Sequence, residues 1–108
     1  MMPRVLIAEC DADVRRLLEM TVRRLGYEAV HVDDHSEVDA MLLEPACESG
    51  RSVLQRFGDE APPVVCLSIY PRSHGLEPAS SVAYLTKPAT TAEIASALGG
   101  IFAVQRDH

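Results

Sequence analysis

The chain has 108 residues, enough for one hydrophobic core but too few for two separate domains. Hydrophobic residues make up 47% of it, aromatic residues only 5%, and Trp is absent, so we expect an aliphatic core. The net charge of −6 argues against a duplex nucleic-acid surface, which needs clustered positive charge. No apolar run approaches the roughly 18 residues of a membrane helix, and the N-terminus lacks a long signal-like apolar region. We therefore predict a cytoplasmic protein that binds neither nucleic acid nor membranes.

The N-terminal part of the chain predicts a strand, a helix and a second strand. Residues 4–9 form a short apolar run that is typical of a buried strand. Asp11 or its neighbour is suited to cap the helix that follows, and Gly26 is suited to end it in a left-handed conformation. Residues 27–32 then predict the second strand. The helix is predicted from an apolar stripe at helical spacing, formed by Val14, Leu17, Leu18, Thr21, Val22 and Leu25.

The segment after the second strand allows two interpretations. Only residues 33–38 separate that strand from the run 39–43, whereas a parallel crossover normally takes about a dozen residues or more, usually with a helix. Either the crossover helix has been lost and the run is a strand, or residues 36–43 are themselves the helix, with a capping signal at Ser36. We favour the strand, because the run ends at Glu44 and a proline as a strand would.

The C-terminal half continues the alternation. A short helix is predicted up to residue 57, and the apolar run 64–68 predicts a strand. Residues 71–80 contain two prolines and a glycine, so any fourth helix there must be short or irregular. Residues 82–85 predict the last strand. Thr90 and Glu93 form a capping box for a final helix. We expect its buried side to contain Ile94, Ala95 and Leu98, with Ile101 and Phe102 as further candidates.

This alternation predicts an α/β fold, a three-layer sandwich around a right-handed parallel sheet. Five strands fit the flavodoxin-like order 2-1-3-4-5, here with the second helix reduced or missing and the fourth helix short. We find no linker, and we expect residues 1–108 to be a single domain without an output domain. Glu9, Glu44 and Lys87 each follow a predicted strand, and ligands bind at that edge of such sheets. The three charged residues therefore suggest one site.

Several segments match one known family. They are residues 5–18, Leu25-Gly26-Tyr27, Leu67-Ser68 and Tyr84-Leu85-Thr86-Lys87-Pro88. On these segments the chain resembles the receiver domain of bacterial two-component response regulators over nearly its full length. The resemblance implies the flavodoxin-like, CheY-like fold and a role in phosphorelay signalling.

The resemblance also implies roles for single residues. In that family, acids after the first strand and an aspartate after the third strand hold Mg²⁺, and the aspartate accepts a phosphoryl group from a histidine kinase. A hydroxyl and a lysine contact the phosphoryl oxygens. Glu9 matches the first acid, Ser68 the hydroxyl, Lys87 the lysine and Tyr84 the switch aromatic.

Two positions depart from the family pattern. Cys10 stands in place of the second acid, and Glu44 in place of the phosphoacceptor aspartate. A thiol is a poor ligand for Mg²⁺. Asp11 completes the predicted acidic pocket with Glu9 and Cys10 and could lend an oxygen ligand, but it comes one residue too late. The longer carboxylate of Glu44 is misplaced for in-line attack on a phosphoryl group. We therefore expect no cofactor, or weak Mg²⁺ at Glu9 and Glu44 at most, and very weak or absent phosphorylation.

Glu44 has two interpretations. Its long carboxylate can reach Lys87 and Ser68 and hold the domain in an active-like state, or it merely pairs with Lys87 after the metal site decayed. Either way we expect a stand-alone domain that is not an enzyme and acts by binding other signalling proteins. A homodimer and the choice of kinase or output protein stay open.

Three alternatives remain. The first is a thiol-based redox sensor that uses Cys10 and Cys47. The opposing interpretation is that Cys10 and Cys66 are small buried hydrophobic residues. The second is a receiver that can still be phosphorylated. The third is a metal site formed by His31, Asp33, Asp34 and His35. We expect these loop side chains to be solvated and to bind no metal.

Overall fold

The computed structural model describes residues 2–71, 75 and 77–106. In chain order the helices and strands are β1 (Arg4–Ala8), α1 (Ala12–Arg24), β2 (Glu28–Val30), β3 (Ala40–Leu43), α2 (Glu48–Phe57), a short 3₁₀ turn (Gly58–Glu60), β4 (Val64–Ser68), β5 (Ser81–Thr86) and α3 (Thr91–Arg106). All strand pairs are parallel, and the sheet order is β2-β1-β3-β4-β5. The predicted fold class and strand order are therefore confirmed.

Alternating side chains of the strands build two cores, one on each face of the sheet. On one face the strands pack against α1 and α3, and this core includes Ile7, Leu42, Val22 and Leu98. On the other face they pack against α2, with Val53 as its buried contact. No helix in the described ranges is long and apolar enough to cross a membrane.

The ends of the helices follow their sequence signals. Asp11 accepts hydrogen bonds from the backbone N–H groups of Asp13 at 2.9 Å and Val14 at 3.1 Å, and so caps α1. Gly26 has φ +92°, the left-handed conformation that a helix end favours and that glycine adopts readily. The predicted capping box closes the start of α3, because the Thr90 N–H donates to Glu93 and the Glu93 N–H donates back to Thr90.

The connection between β2 and β3 contains no helix in residues 31–39, all of which the structure describes. The alternative of a helix over residues 36–43 is therefore wrong, and the predicted strand is confirmed. The connection is held by Arg4, whose guanidinium donates to the Ser36 hydroxyl and to the Glu37 carbonyl oxygen, both at 2.7 Å. Val38 packs against the core under α2 and covers part of the face that a crossover helix would occupy.

The structure differs from two further predictions, which concern the fourth helix and the burial of Leu17. The described residues between β4 and β5 form bends and turns without a helix, and residues 72–74 and 76 of the predicted short fourth helix lie outside the described part. Leu17, expected in the core, is 63% exposed. It lies at the margin of the apolar stripe of α1, and the sheet and α3 cover only the centre of that stripe, where Leu18 and Val22 are buried.

Candidate functional site

The predicted cluster of polar residues is present at the carboxyl edge of the sheet. Glu9 follows β1, Glu44 follows β3, Ser68 ends β4 and Lys87 follows β5. Three of these side chains are nearly inaccessible, with Glu9 exposed by 5%, Glu44 by 6% and Ser68 by 0%. Buried polar groups are costly unless they find partners, so the contacts among them decide what this edge can do.

Lys87 lies between the two buried carboxylates. Its Nζ forms an ion pair with Glu9 Oε1 and a second one, at 3.3 Å, with Glu44 Oε2. Burial alone would lower the pKa of Lys87, but the hydrogen bond and charge of Glu9, followed by the charge of Glu44, outweigh it and raise the pKa. The ammonium group is therefore firmly protonated and neutralises part of the paired acidic charge.

Glu44 has partners at both carboxylate oxygens, two hydrogen bonds at Oε1 and, among the described residues, an ion pair without a hydrogen bond at Oε2. Oε1 accepts hydrogen bonds from the Ser68 hydroxyl at 2.9 Å and from the Ala46 backbone N–H at 3.1 Å, while Oε2 faces Lys87. The contact that the sequence predicted, in which the longer carboxylate reaches both Lys87 and Ser68, is thus present. The result is a closed set of contacts that joins the ends of β3, β4 and β5.

The carboxylates of Glu9 and Asp11, after β1, also accept hydrogen bonds from nearby backbone groups. Glu9 Oε2 accepts the N–H of Cys10 at 2.9 Å and that of Asp11 at 3.5 Å, so its carboxylate is fixed on its own loop. The Asp11 side chain caps α1, as described above. Neither carboxylate is left free at this edge.

A thiol pair lies next to these acids. Cys10 Sγ is 3.3 Å from the Ser49 hydroxyl, and Cys47 Sγ is 3.2 Å from the same oxygen. Cys10 is exposed, so its interpretation as a small buried hydrophobe is wrong, whereas Cys66 is buried in β4 as expected. From the sequence, Ser49 was predicted only as the start of a short helix and not as a site residue. Its position two residues after Cys47, in the first turn of α2, was the available signal.

The remaining predicted residues lie apart from this cluster. Tyr84 is half-buried, and its hydroxyl donates to the Tyr70 carbonyl oxygen at 2.7 Å. His31 accepts the Asp33 N–H at 3.1 Å, and Asp34 accepts from the Ser36 hydroxyl, so these side chains organise their own loop. Within the described ranges, no group of three or more His, Cys, Asp or Glu residues is arranged to hold a metal ion.

No family model and no curated protein matches this chain. Solved structures do match it. The structure of a response regulator receiver protein from Burkholderia phymatum has a TM-score of 0.75 and 22% identity, covering 92% of this chain and 94% of that one. A receiver domain protein from Clostridium thermocellum has a TM-score of 0.79 and 12% identity, covering 97% and 98% respectively.

A third similar structure belongs to a family of redox sensors in the streptococci that evolved from two-component response regulators. It has a TM-score of 0.71 and 15% identity, and the match covers 96% of this chain and 52% of that one. At such identities the likeness shows the fold, and the fold of this chain is that of response regulator receiver domains.

Proposed function

We propose that this chain, which has the receiver fold, is a receiver-like module of two-component signalling that binds other signalling proteins and is not phosphorylated. The observation that carries the proposal is the contact of Glu44 with both Lys87 and Ser68. In the receiver pattern these two partners would contact a phosphoryl group. In this chain a side chain of the protein itself already occupies them.

The donor set of this edge does not fit Mg²⁺. That ion requires near-ideal octahedral coordination by oxygen atoms and keeps several waters. The carboxylates of Glu9 and Glu44 are both paired with Lys87, and a thiol at Cys10 stands where a further acid would complete the set. A thiol is a soft ligand and favours other metals. We therefore propose a function that does not require a bound metal at this edge.

The geometry of Glu44 also disfavours phosphoryl transfer. An attacking carboxylate must be positioned in line with the leaving group, and its developing charges need free donors. The Oε1 atom of Glu44 already accepts two hydrogen bonds, and its Oε2 atom faces the ammonium group of Lys87. An incoming phosphoryl group would have to displace contacts made by buried groups, which is costly.

The contacts support a fixed state of the loops at this edge, since the ends of β3, β4 and β5 are joined without a ligand. This arrangement is common to both interpretations of Glu44, as a mimic of the active state and as a remnant of a decayed site. We propose a binding role rather than an enzymatic one, because the nucleophile of the receiver pattern is absent.

Treatment with acetyl phosphate and Mg²⁺, followed by intact-protein mass spectrometry, tests this proposal. We expect the wild-type chain to gain no phosphoryl group. The matched variant with Cys10→Asp and Glu44→Asp restores both acids of the receiver pattern, and we expect it to gain one. A phosphorylatable receiver domain treated in parallel verifies the reagent. A phosphoryl group on wild-type Glu44 would contradict the proposal.

A further inference from the structure

The two cysteines at the carboxyl edge lie on neighbouring loops and contact the same hydroxyl group. Cys10 belongs to the loop between β1 and α1, and Cys47 to the loop between β3 and α2. Both sulfur atoms contact the same Ser49 hydroxyl, Cys10 Sγ at 3.3 Å and Cys47 Sγ at 3.2 Å. A single hydroxyl therefore holds two thiols from different loops together.

The surroundings of Cys10 favour its thiolate form. Burial would raise its pKa, but hydrogen bonds from the Cys47 and Ser49 side chains, and then from the backbone of Ser49 and Glu48, together lower it below the ordinary value. The backbone donors belong to the first turn of α2, where N–H groups have no partner within the helix. Thiolates at helix N-termini are stabilised in this way and are the reactive form of cysteine.

Reagents in solution can reach this pair. Cys10 is exposed and lines a cavity of about 670 Å³, and Cys47 is partly exposed. Cys10, Ser49 and Glu48 line that cavity together with His31 and Arg15. The third cysteine, Cys66, is fully buried in β4 and has no such access.

We propose that Cys10 and Cys47 are a thiol-redox site that hydrogen peroxide converts into a reversible intramolecular disulfide. The Cys10 thiolate attacks one peroxide oxygen, the O–O bond breaks, and Cys10 becomes a sulfenic acid while the other oxygen leaves as water after taking up a proton. The Cys47 thiol then attacks the Cys10 sulfur and loses its proton, the S–O bond breaks, and a second water leaves. In sum, two thiols lose two electrons to one peroxide, and a dithiol reductant reverses the reaction by exchange.

The disulfide would act directly on the polar cluster. The backbone N–H of Cys10 donates to Glu9 at 2.9 Å, and the backbone N–H of Cys47 donates to the Glu44 carbonyl oxygen at 3.3 Å. A bond between the two sulfurs therefore ties together the loops that carry both partners of Lys87. This site goes beyond the proposed binding role and does not depend on whether Glu44 can be phosphorylated.

The test is peroxide treatment of the fully reduced chain, followed by thiol alkylation under denaturing conditions, intact mass measurement and non-reducing peptide mapping. We expect a loss of two hydrogens, a Cys10–Cys47 linked peptide, alkylation of Cys66 alone, and full recovery after a dithiol reductant. The Cys66→Ala variant should give the same linked peptide. In the Cys47→Ser variant the disulfide should be lost and a Cys10 sulfenic acid should be trapped by a dione reagent.

Several results would overturn the proposal. They are unchanged alkylation of Cys10 and Cys47 after peroxide, sulfinic acid at Cys10 of the wild type without any linked peptide, and a disulfide between two copies of the chain only. Circular dichroism of Cys47→Ser confirms that its thiol result comes from a folded protein. The disulfide is detected as a mass loss at the cysteines, whereas phosphorylation is detected as a mass gain on Glu44. Failure of the redox proposal can therefore be distinguished from failure of the proposed function.

Discussion

Lys87, the only lysine in the sequence, is the residue on which the polar cluster depends. It faces the buried carboxylates of Glu9 and Glu44, and buried charges are tolerated only when they are paired. The sequence predicted that the three residues share one site, because strand ends of a parallel sheet meet at one edge, and that Glu44 reaches Lys87; it did not predict the ion pair of Lys87 with Glu9. It could not predict that Cys10 is exposed or that Ser49 joins two thiols, since both depend on how α2 approaches the sheet.

Replacing Lys87 by methionine should therefore destabilise the protein. The Lys87→Met variant keeps the length of the side chain but leaves two buried carboxylates without a cation, and removing one partner of such a pair costs about 3–5 kcal/mol. Urea unfolding at neutral pH measures the change. Arg24→Met removes an exposed charge from α1 and serves as the matched control. Equal stability of both variants would contradict the role of Lys87.

The pH dependence of stability gives an independent check on the same residue. Because the folded-state pKa of Lys87 is raised, its contribution is fully present below the unfolded-state pKa, roughly 10.4, and is lost as pH rises through the folded-state value. We expect the difference in unfolding free energy between wild type and Lys87→Met to narrow at alkaline pH. Denaturant titrations over that range measure it, and a constant difference would show that charge is not the cause.

At the scale of elements, α2 approaches the end of β3 closely enough to require a glycine. A Cβ atom at Gly50 would lie 2.1 Å from the Glu44 carbonyl oxygen, a distance that side chains never show. This approach brings the start of α2, with Ser49, to the polar cluster. The sequence indicated a helix here, but no local pattern shows that its glycine faces a backbone carbonyl.

Alanine substitutions at two helical glycines should consequently have opposite effects. Gly50→Ala should cost about 1–3 kcal/mol, since the clash is with backbone atoms that cannot move independently. At Gly100 in α3 a Cβ meets nothing within 4 Å. There alanine should stabilise by roughly 0.5–1 kcal/mol through helix propensity. Thermal and urea unfolding measure both, and stabilisation by Gly50→Ala would contradict the close approach.

Two neighbouring leucines of α1 test how far its apolar stripe is buried. Leu18 is 7% exposed and Leu17 is 63% exposed, although both fit the helical pattern. Leu18→Ala should cost about 2–5 kcal/mol, whereas Leu17→Ala should cost under about 1 kcal/mol. Urea unfolding of the pair measures the contrast. A large loss of unfolding free energy in Leu17→Ala would contradict the exposed position of this side chain.

For the whole molecule, strand order followed from the sequence because buried parallel strands and right-handed crossovers leave few arrangements. The missing helix before β3 was the favoured of two interpretations, because the run before Glu44 and Pro45 ends as a strand would. The contacts that hold the chain in place of that helix could not be predicted. The Arg4 guanidinium holds the connection through Ser36 and the Glu37 carbonyl oxygen, and contacts between residues so distant in sequence leave no periodic signal.

The chain has the receiver fold, and we propose that its own side chains close the place where a receiver domain would hold a phosphoryl group. NMR titration of the wild-type chain with Mg²⁺, and then with Mg²⁺ and beryllofluoride as a phosphoryl mimic, tests it most directly. We expect no saturable shifts at millimolar Mg²⁺ around Glu9, Glu44, Ser68 and Lys87, and clear shifts in the variant with Cys10→Asp and Glu44→Asp. Saturable shifts of the wild-type residues would mean that the pocket still binds metal and phosphoryl groups, which would contradict the claim.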